Sequence, residues 1–305
     1  MPIDPATICV LANPASGRAD PGGQVLAAAM QAFGPQVPLR RLSAGQGFDD
    51  LAKQAIADGY TTLVAAGGDG TVNAVAHALL DTDANLGILP LGTFNFVSRG
   101  LGLPNDPQAA ARAILAGHPH RISVGSVNGQ VFLNNASIGI YPRILHEREA
   151  LYARWGRSRL LAYWTVLSTL IRFQAPRRMV ITAGDTCHDL QTPLVFVARS
   201  AYQLEQFGLS GADLISDDHF AVFVALGGSR WHLLKLAFHL ARRRLQPGTD
   251  VMLFAAREME IQTSRRRPRI AYDGEKRRMR APLRFRIHDH ALSIIIPDAQ
   301  DKVTT

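Results

Sequence analysis

Between Thr62 and Asn73 the chain reads Thr-Leu-Val-Ala-Ala-Gly-Gly-Asp-Gly-Thr-Val-Asn, with one carboxylate, Asp69, set among Gly67, Gly68 and Gly70. Glycines without side chains let a backbone approach a polyanion, and a helix start offers unpaired N–H groups and a positive dipole end. A carboxylate beside phosphates is useful when a Mg²⁺ ion or a proton transfer lies between them. The run lacks the Gly-Lys-Ser/Thr of a Walker A loop and the spacing of a G-x-G-x-x-G dinucleotide fingerprint. It points to a nucleotide site of another kind. Two further loops carry similar chemistry: Asn13-Pro14-Ala15-Ser16-Gly17 and Gly92-Thr93-Phe94-Asn95.

The surrounding pattern says what must position these loops. Thr62 onward reads as a buried strand, and Val72, Val75, Ala76, Leu79 and Leu80 recur at the spacing of one helix face. Ile8 to Ala12 predicts a strand, the stretch around Gln24 to Phe33 a helix, Val37 to Leu42 a strand, and Phe48 to Asp58 a helix closed by Gly59. Leu86 to Pro90 predicts another strand. Asn105-Asp106-Pro107 starts a helix that runs through Leu115 before Gly117. Such alternation builds an α/β domain on a mostly parallel sheet, whose ligands bind at the C-terminal ends of strands. All three loops fall at such ends.

Past about residue 122 the texture changes to short strand-like runs: Val131 to Ile138, Met179 to Ala183, Leu194 to Ala198, Phe220 to Leu226, Met259 to Thr263 and Leu292 to Ile296. They predict a β-rich antiparallel second domain. Two helices interrupt it, one near Leu151 to Phe173 and one over Arg230 to Arg244. The expected division is 1–125 for the α/β domain that carries the nucleotide-type loops and 126–305 for the β-rich domain, with the last strand free to return to the first.

With 305 residues and 47% hydrophobic content the chain can bury a substantial core. Its two cysteines, Cys9 and Cys187, are too few for a disulfide framework, which suits a reducing cytoplasm. The N-terminus has no signal-peptide pattern, and Leu160 to Ile171 is too short to span a bilayer. The net charge of +8 gathers in the second half, at Arg242–Arg244, Arg265–Arg269 and Lys276–Arg280. That balance favours anionic lipid or phosphate-rich ligands, though an ordinary solvated surface has it too. Few aromatics interleave with these arginines, so no nucleic-acid partner is expected.

Taken in order, Asn13-Pro14-x-Ser16-Gly17, Gly67-Gly68-Asp69-Gly70-Thr71, and Gly92-Thr93-x-Asn95 with Arg99 and Leu101-Gly102-Leu103-Pro104 resemble the diacylglycerol kinase catalytic-domain family. The nearer likeness is to its bacterial lipid kinase branch, related to sphingosine and ceramide kinases. Phe132 to Gly139, Tyr202-Gln203-Leu204, Leu214 to Phe220 and Asp273-Gly274-Glu275 continue it along nearly the whole chain. The glycine-rich loop alone is shared with NAD kinases and is close to phosphofructokinase loops. The fold the resemblance implies is a phosphofructokinase/NAD-kinase-like parallel sheet followed by the β-rich domain.

The resemblance also implies ATP- and Mg²⁺-dependent phosphorylation of a lipid hydroxyl, where positioning and charge neutralisation do most of the work. By that likeness Asn13, Pro14, Ser43, Gly67, Gly68, Asp69, Gly70, Thr71, Val72, Asn73, Gly92, Thr93 and Asn95 contact the nucleotide. The same likeness makes Glu275 the general base, with Asp273 next to it, and counts Asp69 in the catalytic set. Leu214, Asp217 and His219 match a Mg²⁺ position built from one carboxylate and two backbone carbonyls. Phe96 and Ser123 stand where the family often carries aspartates. Tyr152, Trp155, Tyr163 and Trp164 among apolar residues and arginines would suit a membrane interface. The expectation is a cytoplasmic, peripherally membrane-associated lipid kinase, with a homodimer left open. NAD kinase, or a catalytically weak nucleotide- or lipid-binding protein, is the alternative.

Overall fold

The computed structural model describes residues 3–14, 23–43, 45–139 and 176–297. Three expectations lie outside these residues: the Ser16-Gly17 end of the first loop, the aromatic helix over 151–173 and the tail from 298. The chain forms two compact units, Met1–Val124 with His288–Thr305, and Gly125–Ile287.

The first unit is an α/β domain. Strands β1 (Ile8–Ala12), β2 (Leu39–Arg41), β3 (Thr62–Gly67) and β4 (Asn85–Pro90) lie in the order β2-β1-β3-β4, all parallel. Every residue of β1 and β3 is buried. Their unbroken apolar runs follow from helices on both sheet faces. Helix α1 (Gln24–Phe33) packs beside α5 (Pro107–Ala116), and α2 (Phe48–Ala57) beside α3 (Asp69–Leu79). Short α4 (Phe96–Gly100) follows the loop after β4. Asp106 caps α5 by accepting the Ala109 N–H at 2.8 Å, and Pro107 opens its first turn.

The strand expected over Val37 to Leu42 pairs only at Leu39–Arg41. Pro38 has no N–H to give a ladder, although its carbonyl accepts from Val10. Leu80 caps α3 instead of lying within it. Strand β5 (His118–Val127) contains the Ser123 position and starts earlier than an apolar pattern shows, because His118, Pro119, His120 and Arg121 break that pattern.

The second unit is antiparallel and β-rich, as its turn-separated runs predict. The strands β6 (Gln130–Phe132), β7 (Asn135–Gly139), β8 (Arg177–Ala183), β9 (Thr186–Thr192) and β10 (Leu194–Ala198) precede helices α6 (Ala201–Phe207) and α7 (Ala212–Ser216). Then come β11 (Phe220–Ala225), α8 (Arg230–Ala241), β12 (Val251–Ala256), β13 (Glu258–Thr263), β14 (Arg269–Tyr272), β15 (Glu275–Arg278) and β16 (Leu283–Ile296). One sheet runs β12-β11-β10-β7-β14-β15. Facing it, β13 pairs with β8 and with Leu283–Arg286 of β16. Phe132, Phe220 and Phe285 meet in the core between these layers, with ring centroids 5.6 to 6.4 Å apart. The far half of β16 belongs to the first unit, where Ser293 and Ile294 pair in parallel with Asn85 and Leu86.

The run Val131 to Ile138 was expected as one strand and is two, β6 and β7. The break at Leu133-Asn134 has a cause in Asp273, described next. Polar β9 (Thr-Cys-His-Asp-Leu-Gln-Thr) carries no apolar run and escaped prediction for that reason.

Candidate functional site

In the first unit the parallel register brings the loop residues to one sheet edge. Ala12 pairs with Ala66 and with Arg41, and Gly67 pairs with Pro90. Asn13, Ser43, Gly68 and Gly92 therefore follow four adjacent strands at their C-terminal ends. The order β2-β1-β3-β4 reverses direction between β1 and β3, the switch point at which open α/β sheets bind ligands.

The glycines are explained by space rather than by backbone sign. A Cβ on Gly67 would fall 2.4 Å from the Thr71 hydroxyl oxygen. One on Gly92 would stand 2.6 Å from the Cα of Gly68 and 2.6 Å from Asn95 Oδ1. Two loops thus touch backbone to backbone, and a side chain at either would force them apart. A Cβ on Gly70 would meet nothing within 4 Å. Gly68 is the N-cap of α3 and supplies no side-chain cap, so the helix start keeps an N–H group to offer.

Asn95 braces its own loop. It sits in the left-handed region at φ 50°, its Oδ1 accepts the Gly92 N–H at 3.0 Å, and its Nδ2 donates to the Gly92 carbonyl at 3.1 Å. Asp69 turns toward the next loop, where its Oδ1 accepts the Val97 N–H at 3.1 Å. Burial raises the carboxyl pKa, and the N–H groups of Val97, Phe96, Asp69 itself and Asn95 oppose that rise, which leaves the Gly70 N–H, among the described residues, as the one the helix start offers. Asp69 therefore ties the turn after β3 to the start of α4. Thr71 and Asn73 are buried along α3, Val72 is buried with them, and Ser43, Pro14 and Thr93 are exposed at the rim. Phe96, where an aspartate is common in the likeness drawn above, stacks on Phe94 with centroids 5.6 Å apart. Ser123 accepts the His290 N–H at 3.3 Å.

In the second unit Asp273 and Gly274 both have positive φ, 43° and 85°, and join β14 to β15 as a two-residue hairpin turn. The Asp273 carboxylate is buried and accepts three backbone N–H groups, from Leu133 at 2.6 Å, Asn134 at 2.9 Å and Asn135 at 3.0 Å. That clamp turns the chain between β6 and β7. Glu275, exposed at the head of β15, accepts from the Tyr272 hydroxyl at 3.4 Å. Burial first, and then the Glu275 charge, push the Tyr272 hydroxyl up to about 12.

The clamp extends through residues to which the sequence reading gave no role of their own. Buried Asn135 donates to buried Gln203 at 2.8 Å. The Asn134 carbonyl accepts the Arg199 N–H at 2.7 Å, and the Arg199 guanidinium bonds the Asp218 carboxylate and the Ile215 carbonyl. The hairpin and the turn at 214–219 are thereby linked within this unit. In that turn the Leu214 carbonyl accepts the His219 N–H, and the His219 ring bonds the Asp217 carbonyl at 2.8 Å, so its imidazole is engaged locally. The Asp217 carboxylate is exposed, with no ion-pair partner among the described residues. No three acidic, histidine or cysteine side chains converge among the described residues. An ion there would rest on one carboxylate and backbone carbonyls, a hard-oxygen set that suits Mg²⁺.

Residues 7–127 match the diacylglycerol kinase catalytic domain. The chain is 47% identical over 96 residues to a Pseudomonas aeruginosa protein named "probable lipid kinase YegS-like", covering 31% of this chain and 32% of that one. It is 36% identical over 98 residues to a diacylglycerol kinase of Staphylococcus aureus, covering 32% and 31%. The matched stretch thus spans about a third of the length of these relatives. The fold as a whole is similar to the crystal structure of a diacylglycerol kinase from Bacillus anthracis, with a TM-score of 0.71 at 22% identity over 96% of this chain and 98% of that one. Among the described residues no helix is long and apolar enough to cross a membrane.

Proposed function

We propose that the protein is a kinase that transfers the γ-phosphate of ATP to the hydroxyl of diacylglycerol or a similar lipid alcohol. The observation that carries this reading is the backbone contact of Gly68 and Gly92 at the C-terminal edge of the sheet, beside the uncapped start of α3. It makes a backbone surface with no side chain in the way, where the Gly70 N–H is open to a polyphosphate. The relatives' names supply the acceptor class, a lipid.

In this reading the turn 67–71 holds the nucleotide phosphates, while Asn13, Ser43 and Thr93 line the rim. Asn95 and Asp69 hold the loops in place. Bound Mg²⁺ supplies charge neutralisation at the transferred phosphate, and Asp69 is the carboxylate this edge offers it. A second ion would stabilise the 214–219 turn through Asp217 and the carbonyls of Leu214 and His219. Glu275 accepts the proton of the attacking hydroxyl. Asp273 is a positioning residue, since its oxygens are engaged with backbone N–H groups. The protein meets its substrate at a membrane surface as a peripheral binder.

Labelled phosphate from γ-labelled ATP, Mg²⁺ and a mixed lipid extract in detergent micelles tests this. A labelled lipid formed by the wild type and lost in Glu275→Gln supports the assignment. An unchanged yield in Glu275→Gln removes the general-base role.

A further inference from the structure

Helix α8 (Arg230–Ala241) is apolar on its inner side and carries aromatic rings among cations on its outer side. Its inner side buries Leu233 and packs Leu236 against Phe196, Phe223 and Val251 on one face of the antiparallel sheet. That contact accounts for its place in the fold. The outer side repeats at 231, 235, 238 and 242, steps of four, three and four that form one stripe along a helix. Trp231 on this stripe is 79% exposed and Phe238 is 54% exposed. No other large hydrophobic residue among those described is as exposed as Trp231. Two large aromatic rings exposed on one stripe make a patch of the kind that marks an interaction surface.

The charge on the stripe selects that partner. The Arg242 guanidinium lies 4.6 Å from the centre of the Phe238 ring. Arg243 and Arg244 continue the chain, both exposed, and none of the three arginines has an acidic partner among the described residues. Lys235, on the same stripe, comes no nearer than 4.0 Å to Asp250, a buried carboxylate already held by His239 at 2.6 Å. A second copy of this chain seated on the stripe would set arginine against arginine. An anionic bilayer offers both complements: headgroup phosphates for the arginines, and the interfacial depth at which tryptophan and phenylalanine rings settle.

We infer that the outer face of α8 is the surface by which this protein docks on an anionic lipid bilayer. Trp231 and Phe238 enter at headgroup depth, and Arg242 to Arg244 lie on lipid phosphates. The inference rests on the lipid-kinase reading for its choice of a membrane, and deepens it by naming the element that makes contact.

The test is equilibrium binding of the full chain, without ATP, to phosphatidylcholine vesicles and to phosphatidylcholine–phosphatidylglycerol vesicles at about two to one. Because no turnover is read, failure of the kinase assignment leaves the result interpretable. Wild type is expected on the mixed vesicles, with binding that weakens as salt rises. Trp231→Ala with Phe238→Ala is expected to weaken it by about tenfold or more. Each arginine changed to alanine is expected to weaken it about fivefold. In a Trp155→Phe, Trp164→Phe background, Trp231 emission should shift to the blue on binding and be quenched by brominated acyl chains. Equal vesicle binding by the double variant, or no shift of Trp231 emission, overturns the inference. So does a loss confined to self-association or to retention on nucleic acid.

Discussion

Replacing Asp273 by asparagine separates a structural carboxylate from a chemical one. The wild-type carboxylate accepts from Asn134 and Asn135 through Oδ1 and from Leu133 through Oδ2. Asparagine tolerates the positive φ of this turn, so the backbone contributes little to the change. Its single carbonyl oxygen can keep the two bonds to Asn134 and Asn135. Its amide then points at the Leu133 N–H, donor to donor. Leaving one buried N–H unsatisfied costs about 1–3 kcal/mol, and weakening two charge-assisted bonds to neutral ones adds about 1 kcal/mol. A destabilisation of about 3 kcal/mol follows, and at about 2–4 °C per kcal/mol for a unit of this size Tm falls by roughly 6–12 °C. Glu275→Gln, at an exposed position two residues on, should leave Tm nearly unchanged while slowing phosphate transfer by about 10²–10⁴-fold. Thermal unfolding followed by circular dichroism, together with labelled-phosphate transfer, reads both. An Asp273→Asn protein with the wild-type Tm would refute the clamp.

Gly92→Ala forces a Cβ to within 2.6 Å of the Gly68 backbone, so ATP affinity, measured by calorimetry, should fall by at least about tenfold, with a stability loss of about 1–3 kcal/mol. Asp69→Asn gives a signed pH prediction. Burial raises the folded carboxyl pKa above its unfolded value, so the folded state holds its proton more tightly and stability falls as pH rises from the unfolded value through the folded one. The neutral amide still accepts from Val97. The wild type should therefore lose Tm relative to the variant as pH rises through that window, while the variant transfers far less phosphate, and a Tm difference that does not change with pH would contradict the sign. Cys9 is buried with its thiol pushed up to about 11, whereas Cys187 is exposed, so a thiol reagent near pH 8 should label Cys187 alone in the native protein. Native labelling of Cys9 would show that β1 opens readily.

The first unit was legible because β1, β3 and β4 are buried and read as apolar runs, each ending at a loop of recognisable chemistry. Ile8–Ala12 and Gln24–Phe33 matched residue for residue. The second unit was legible as a class but less so in detail. Its β9 is polar, and the far half of β16 was read as Leu292 to Ile296 while its alternating first half, Leu283-Arg284-Phe285-Arg286-Ile287, was passed over. The corner at Leu133-Asn134 depends on a carboxylate well over a hundred residues away, a constraint no local pattern carries. The same holds within the site. The family resemblance gave Asp273, Asn95 and Asp69 places in the site, and their contacts show that each holds backbone in place. Gln203 lay in a quoted run, yet its partnership with Asn135 required the fold to be seen.

The most direct measurement supplies diacylglycerol micelles and NAD together with γ-labelled ATP and Mg²⁺, for the wild type and for Asp69→Ala. The account predicts label on the lipid hydroxyl in the wild type, its loss in the variant, and none on NAD. Label on NAD, or none on lipid from a wild type shown separately to bind ATP, would contradict it.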